Sequence, residues 1–189
     1  YHLANVVDDH DFGITHVRRA EEHLSNTPRQ VFMIQTLGWA LPEYGHLPYV
    51  AEPGSKRKLS KRKLETYLKK EDFAKIHQHG LEVARALGLT TSLETFNPVA
   101  TDFYEQVGYL PDAIVNYLLL LGWSLDDKTE FLTREQMIEH FSLERVSAGP
   151  ASFDPAKLLA FQAHYMRAVP LADKVRHTLP FLERAGLVR

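Results

Sequence analysis

Ile14-Thr15-His16-Val17-Arg18 and, nine residues on, Thr27-Pro28-Arg29-Gln30 are the stretch that decides the fold. The first segment alternates apolar and polar side chains, the period of a strand, after Gly13 has broken the run before it. The second places a hydroxyl, then proline, then a glutamine three residues beyond the hydroxyl, which reads as a capping box with Thr27 as N-cap. The helix it opens is expected from Pro28 to Leu37, with Val31, Ile34 and Leu37 as its apolar stripe and Gly38 as its stop. Upstream, His2-Leu3-Ala4-Asn5-Val6-Val7 reads as another short strand that turns at Asp8-Asp9, and downstream His46 to Val50 reads as a third. Strands joined by a capped helix fit part of an α/β layer. Two or three strands are too few to stand alone. With Tyr1 rather than Met at the start, this leads to the expectation that an N-terminal part of the layer is missing from these residues.

Beyond residue 63 the pattern turns helical. Tyr67, Leu68, Phe73, Ile76, Leu81 and Val83 recur at helical spacing up to a stop at Gly88, and residues 90–101 form a polar connector. Pro111 and Asp112 open a helix whose Ile114, Val115, Leu118, Leu119 and Leu121 make it apolar nearly all round, as in a core, before Gly122. Thr133-Arg134-Glu135-Gln136 is a second capping box, and Asp154-Pro155 starts a helix closed by Pro170. A last helix is expected from Leu171 to about Ala185, kinked at Pro180. The fold class is therefore α/β followed by all-α.

Between the two parts lies Lys56-Arg57-Lys58-Leu59-Ser60-Lys61-Arg62-Lys63, six cations in eight residues of a chain with net charge −2. So dense a run belongs in solvent or against a polyanion. At its centre two lysines flank a leucine and a serine, with Pro53-Gly54 as a turn just before. Leu59 can pin the loop to the body, leaving ammonium and hydroxyl donors for phosphate oxygens, an arrangement suited to a leaving pyrophosphate. The near-neutral balance confines any nucleic-acid contact to local patches. Absence of cysteine removes disulfides, thiol catalysis and thiolate metal sites, and fits a reducing compartment. The longest apolar run, Tyr117 to Leu121, is far too short for a bilayer.

Tyr1 to Asp9, Gly13 to Val17, Arg19 to Leu24 and Thr27 to Gln30 strongly resemble bacterial glutamyl-tRNA synthetases, class I aminoacyl-tRNA synthetases. Lys58-Leu59-Ser60-Lys61-Arg62 resembles that class's second signature, a mobile lysine–serine–lysine loop. Gly108 to Pro111 and Asn116 to Trp123 are similar to the family's stem-contact region, and Glu144 to Ser147 with Phe153-Asp154 to its passage into the anticodon-binding helices. The first signature, a His-x-Gly-His loop, and the acceptor-binding insertion are absent from these residues. Residues 63–105 are longer than the family pattern and look like a helical insertion.

The resemblance implies three regions. Residues 1–50 would be the C-terminal half of a Rossmann-like nucleotide-binding domain, 51–150 the signature loop and stem-contact domain, and 151–189 the start of an anticodon-binding helical domain. It implies that ATP, with Mg2+ carried on its phosphates, activates glutamate to an adenylate that passes to tRNA(Glu). Lys61 would meet the developing pyrophosphate charge as the main catalytic group, with Lys58 and Ser60 supporting. Glu22, His23, Val50, Lys58 and Lys61 would bind ATP, Val50 through its backbone. Arg19 would read a glutamate carboxylate as a bidentate fork, with Tyr1 and Asn5 lining the pocket; four apart on a strand, they would share a face. Arg18 would face the other way and pair with an acid. Arg57, Arg62 and Lys63 would contact tRNA. His46 reads as structural or solvated, and no protein-held metal is expected, because His77 and His79 are two apart and do not face one ion on a helix. A monomeric cytoplasmic ligase is implied, with this segment inactive alone for want of the first signature. The alternatives are a glutaminyl-type synthetase and a non-catalytic tRNA-binding fragment in which the basic loop only grips phosphate.

Overall fold

A computed structural model describes the whole chain apart from Lys56, Ala185 and Arg189, and apart from the side chains of Lys61 and Arg184. The chain divides into two compact units, the first made of residues 1–59, 121–124 and 142–153, the second of residues 60–120, 125–141 and 154–189. The change from one to the other at Leu59 and Ser60 falls inside the basic run of residues 56–63.

The first unit opens with helix α1, His2–Asp11, where the sequence reading expected a strand. Val6 is its buried residue, and His10, one turn on, stacks on Trp39 with ring centroids 3.8 Å apart. Gly13 is not a strand breaker but the left-handed residue that closes this helix. Its N–H donates to the His10 carbonyl at 3.0 Å and the Ile14 N–H to the Asp9 carbonyl at 2.8 Å, the two bonds of a Schellman ending. Asp8 and Asp9 accordingly lie within the helix rather than in a turn.

Strand β1, His16–Ala20, follows, then a 3-10 segment over Glu21–Asn26 and helix α2, Thr27–Thr36. The helix stops at Gly38 as expected, again with paired bonds: Gly38 N–H to Gln35 at 3.1 Å and Trp39 N–H to Ile34 at 3.1 Å. Its start differs from the expected capping box. Asn26 occupies the cap position and no side chain caps the helix, because the Thr27 hydroxyl is engaged by an arginine across the layer. Gln30, the intended partner, is 1% exposed inside the unit.

Strand β2, Glu43–Leu47, lies parallel to β1, three residues earlier than expected, with Arg18 opposite Gly45 and Arg19 opposite His46. These two strands form the sheet. The chain then turns through Pro53 and Gly54, whose φ is +70°. Ala51, 1% exposed, anchors that turn. It bridges antiparallel to Lys58 and parallel to Ser152, with its N–H on the Ala151 carbonyl at 2.8 Å and its carbonyl accepting from Phe153 N–H at 3.1 Å.

The second unit is helical: α3 Leu64–Tyr67, α4 Glu71–Ala86, α5 Thr101–Val107, α6 Pro111–Leu120, α7 Arg134–His140, α8 Pro155–Ala168 and α9 Leu171–Arg184, with Pro180 inside the last. Aromatic side chains fill its core. Phe103 is fully buried against Phe96 and Tyr104, and Tyr117 meets Phe161 edge-on at 5.9 Å where α6 packs on α8. Helix α6 is not buried all round: Ala113, Asn116 and Tyr117 face inward, while Val115 and Leu118 are exposed. The capping box of α7 forms as read, with Gln136 N–H to Thr133 Oγ1 and Thr133 N–H to Gln136 Oε1. Asp154 caps α8 by accepting from Ala156 and Lys157 N–H at 2.9 and 3.1 Å. Among the described residues no helix is long and apolar enough to cross a membrane.

Candidate functional site

The parallel register sets the chemistry of the first unit. Adjacent residues on a strand point to opposite faces, so Arg18 and Arg19 part. Arg18 crosses Gly45 and finds Glu43, donating from Nη1 to its carbonyl at 2.9 Å and from Nη2 to its carboxylate at 2.6 Å. The expected acidic partner of Arg18 is therefore Glu43.

Arg19 has no such partner among the described residues. Its guanidinium is half-buried, donates from Nη2 to Thr27 Oγ1 at 2.8 Å, and has Nε 3.5 Å from His46 Nε2. Thr27 Oγ1 lies in turn 3.0 Å from His46 Nε2. The guanidinium carbon sits 5.2 Å above the centroid of the Tyr44 ring, a cation–π shelf. Burial raises the Tyr44 hydroxyl pKa above its ordinary value, so the shelf stays neutral. A cation partly withdrawn from water with no carboxylate against it among the described residues favours an anionic partner.

Next to it, in the 3-10 segment, stand Glu22 and His23. Glu22 forms an ion pair with Lys58, and the Lys58 hydrogen bond holds its carboxyl below the usual glutamate range. His23 Nε2 is 3.7 Å from the other Glu22 oxygen, and its Nδ1 is 3.2 Å from the Asn26 amide. The His23 carbonyl is 3.5 Å from Thr27 Oγ1, which ties this group to the Arg19 cluster. The Val50 carbonyl accepts from Leu59 N–H at 2.8 Å, closing the base of the basic loop. So the structure gathers Glu22, His23 and Lys58 side by side, with Val50 fixed at the loop's root.

Tyr1 and Asn5 do share a face, though for a different reason: four residues apart at the start of α1, with Asn5 N–H on the Tyr1 carbonyl at 3.0 Å. Among the described residues neither makes a hydrogen bond or ring contact with Arg19. Tyr1 is 77% exposed and lies edge-on to His2 at 5.0 Å. Arg57 is exposed, its N–H turned to Ser55 Oγ at 2.9 Å.

Ser60, Lys61, Arg62 and Lys63 belong to the second unit. Ser60 N–H donates to the buried Tyr67 hydroxyl at 3.1 Å, and a single 3-10 turn covers Lys61–Lys63. The Lys61 side chain, expected to be the main catalytic group, lies outside the described residues. Arg62 is exposed at the edge of a recess with Glu65, Leu93, Glu94 and Asn97. Among the described residues no three His, Asp or Glu side chains are arranged to hold a metal ion.

Three neighbours of Arg19 escape the sequence reading. Thr27 reads as a cap, His46 as structural or solvated, and Tyr44 carries no signal of its own. Their grouping depends on strand register, which pairs residues 27 apart.

Residues 1–94 and 94–160 match the family model for tRNA synthetases class I (E and Q), catalytic domain. Over 188 residues, all of this chain, it is 41% identical to a glutamate–tRNA ligase of Moorella thermoacetica, and over 189 residues 39% identical to one of Desulforamulus reducens. It spans about a third of those proteins, 31% and 32% of their lengths. The crystal structure of a glutamate tRNA ligase from Elizabethkingia meningosepticum, in complex with its amino acid, superimposes with a TM-score of 0.73 at 29% identity, over 98% of this chain and 34% of that one. The glutamate-tRNA synthetase of Elizabethkingia anophelis gives 0.74 at 28% identity over 100% and 35%. With its parallel strand pair and a family match over residues 1–160, the chain belongs to the class I tRNA synthetases of the E and Q family.

Proposed function

We propose that this chain is part of a glutamate–tRNA ligase, which activates glutamate with ATP and transfers it to tRNA(Glu). One observation carries the reading: Arg19 is a half-buried guanidinium without a carboxylate among the described residues, beside a Glu22–Lys58 pair on the nucleotide side. The glutamate α-carboxylate must stay free to attack the α-phosphorus of ATP. Arg19 therefore takes the side-chain carboxylate, with Tyr1 and Asn5 along the same pocket. Attack forms the mixed anhydride and expels pyrophosphate. Lys58, released from Glu22 by the stronger negative charge of the triphosphate, and Lys61 steady the departing oxygens, with Ser60 as a further donor. Glu22 and His23 are then free to contact the nucleoside, and the Val50 backbone lines the adenine. Mg2+ enters with the nucleotide, and no step is assigned to a protein-held metal. Positioning and charge stabilisation do the catalytic work, since the protein forms no covalent bond.

Residues 1–50 are read as the second half of a Rossmann-like domain and 51–150 as signature loop and stem contact. Residues 151–189 are read as the opening of an anticodon-binding domain. Arg57, Arg62 and Lys63 are assigned to tRNA phosphates. By itself the segment is inactive in adenylate formation.

Grafting this chain in place of the matching segment of the Moorella thermoacetica ligase tests the assignment. The graft should charge tRNA(Glu) with glutamate, and Arg19→Leu within it should lower charging by roughly 10²–10³-fold, the loss typical of one preorganised donor. A folded graft that charges equally well with and without Arg19 would remove this residue from substrate recognition.

A further inference from the structure

We infer that Thr27 and His46 are positioning residues that fix one edge of the Arg19 guanidinium and thereby decide which of its N–H groups meet a carboxylate. The inference rests on Arg19 reading glutamate. A guanidinium carries five N–H donors in one plane, and Nε–H and one Nη2–H lie along the same edge. That edge is the one occupied: Nη2 donates to Thr27 Oγ1 at 2.8 Å, and Nε faces His46 Nε2 at 3.5 Å, a long contact that is mainly electrostatic. Nη1 has no acceptor among the described residues, so the outer pair, Nη1–H and the second Nη2–H, remains as an end-on fork for two carboxylate oxygens.

Proton accounting fixes the histidine. Thr27 Oγ1 accepts from Arg19, so its own proton goes to another acceptor, and His46 Nε2 at 3.0 Å is nearer than the His23 carbonyl at 3.5 Å. Nε2 therefore carries no proton, and the imidazole is neutral with its proton on Nδ1. A proton on Nε2 would set a donor against the Arg19 Nε–H, and a ring protonated on both nitrogens would put a second positive charge beside the guanidinium. Tyr44 completes the clamp from below, its ring under the guanidinium carbon at 5.2 Å and nearly parallel to the His46 ring at an interplanar angle of 9°. Edge and face of the cation are both held before any ligand arrives, the condition under which a bidentate contact binds without a further ordering cost.

The test uses the 189-residue chain with 15N-labelled histidine, its isolated imidazole resonances assigned by His46→Gln, and glutamate titration followed by NMR. The wild type should show His46 with a bare Nε2. Thr27→Val, which keeps the shape and removes the hydroxyl, should disturb that signature and weaken glutamate binding by about tenfold, the worth of one hydrogen bond to a charged group. Thr27→Ser should restore both, which a purely steric role for Thr27 would not produce. A protonated Nε2 in the wild type, or glutamate binding unaltered in a folded Thr27→Val, overturns the inference. A wild type with the expected imidazole but no response to glutamate supports the clamp and refutes the reading of Arg19 as the glutamate site.

Discussion

Replacing Gly80 by alanine should destabilise the second unit, against the usual expectation for a glycine inside a helix. Gly80 is buried in α4, where alanine would ordinarily gain about 1 kcal/mol of helix propensity. A Cβ built there would stand 2.5 Å from Phe103 Cε2, 2.6 Å from its Cζ and 3.2 Å from Val107 Cγ2. The ring cannot retreat freely. Phe103 is 0% exposed, with Phe96 at 4.8 Å, Tyr104 at 5.2 Å and His77 at 6.4 Å. Overpacking of this kind costs ~1–3 kcal/mol, and an overlap of about an ångström against a closed aromatic cluster belongs in the upper part of that range. After the propensity gain, a net loss of about 1–2 kcal/mol remains. Denaturant unfolding followed by far-UV circular dichroism reads it as a lower midpoint. In a thermal scan it amounts to roughly 2–4 °C for each kcal/mol in a chain of this size. Phe103→Leu removes the clashing ring atoms, so the double variant should lose less than the two single losses added. An alanine variant as stable as the parent would mean that α4 and α5 move apart at no cost, and would refute the close-packing account.

Other perturbations reach different parts of the molecule. Asp154→Ala removes both bonds at the start of α8 and should cost about 1 kcal/mol, whereas Asp154→Asn should keep most of it; equal unfolding midpoints for the three proteins would show the cap to be idle. Burial raises the Tyr109 and Tyr117 hydroxyls from 10.0 to about 12, so the fold favours their neutral forms. Their contribution is present below pH 10 and is lost as pH rises toward 12. Ultraviolet titration should show these two ionising late, or together with unfolding, and eight tyrosines titrating together near pH 10 in a folded chain would contradict it. Because Lys58 lowers the Glu22 pKa, their pair should persist at pH 4.5, where a free glutamate is half protonated, and part only on further acidification. A carboxyl 13C midpoint for Glu22 at or above 4.5 would exclude that pairing.

Local rules reach far in this chain and then fail in instructive places. The α7 box, the Asp154 cap, the Gly38 stop and Pro111 as a helix start are decided by residues within a turn of one another, so the sequence is enough for them. Val6-Val7 reads as strand because β-branched residues favour that state. There the packing of Val6 and the closure at Gly13 prevail, and the segment is helical. Thr27 has every mark of a cap, yet a guanidinium donor across the layer is a stronger claim on its oxygen than a neutral backbone amide of the first turn. The grouping of Glu22, His23 and Lys58 was legible only through family resemblance. That of Thr27, Tyr44 and His46 around Arg19 was not legible, since it requires knowing that residue 19 lies opposite residue 46.

Gly45 settles which of two neighbouring arginines keeps an appetite for anions. The Arg18 stem lies where a Cβ at position 45 would be, 2.6 Å from its Cδ, and that passage is what brings its head to Glu43. Any side chain at 45 would lift the stem, strand the acid and leave an unpaired cation on each face of the strand pair. With only a hydrogen there, Arg18 is silenced within the sheet, and of the two arginines Arg19 alone keeps its charge without a carboxylate among the described residues.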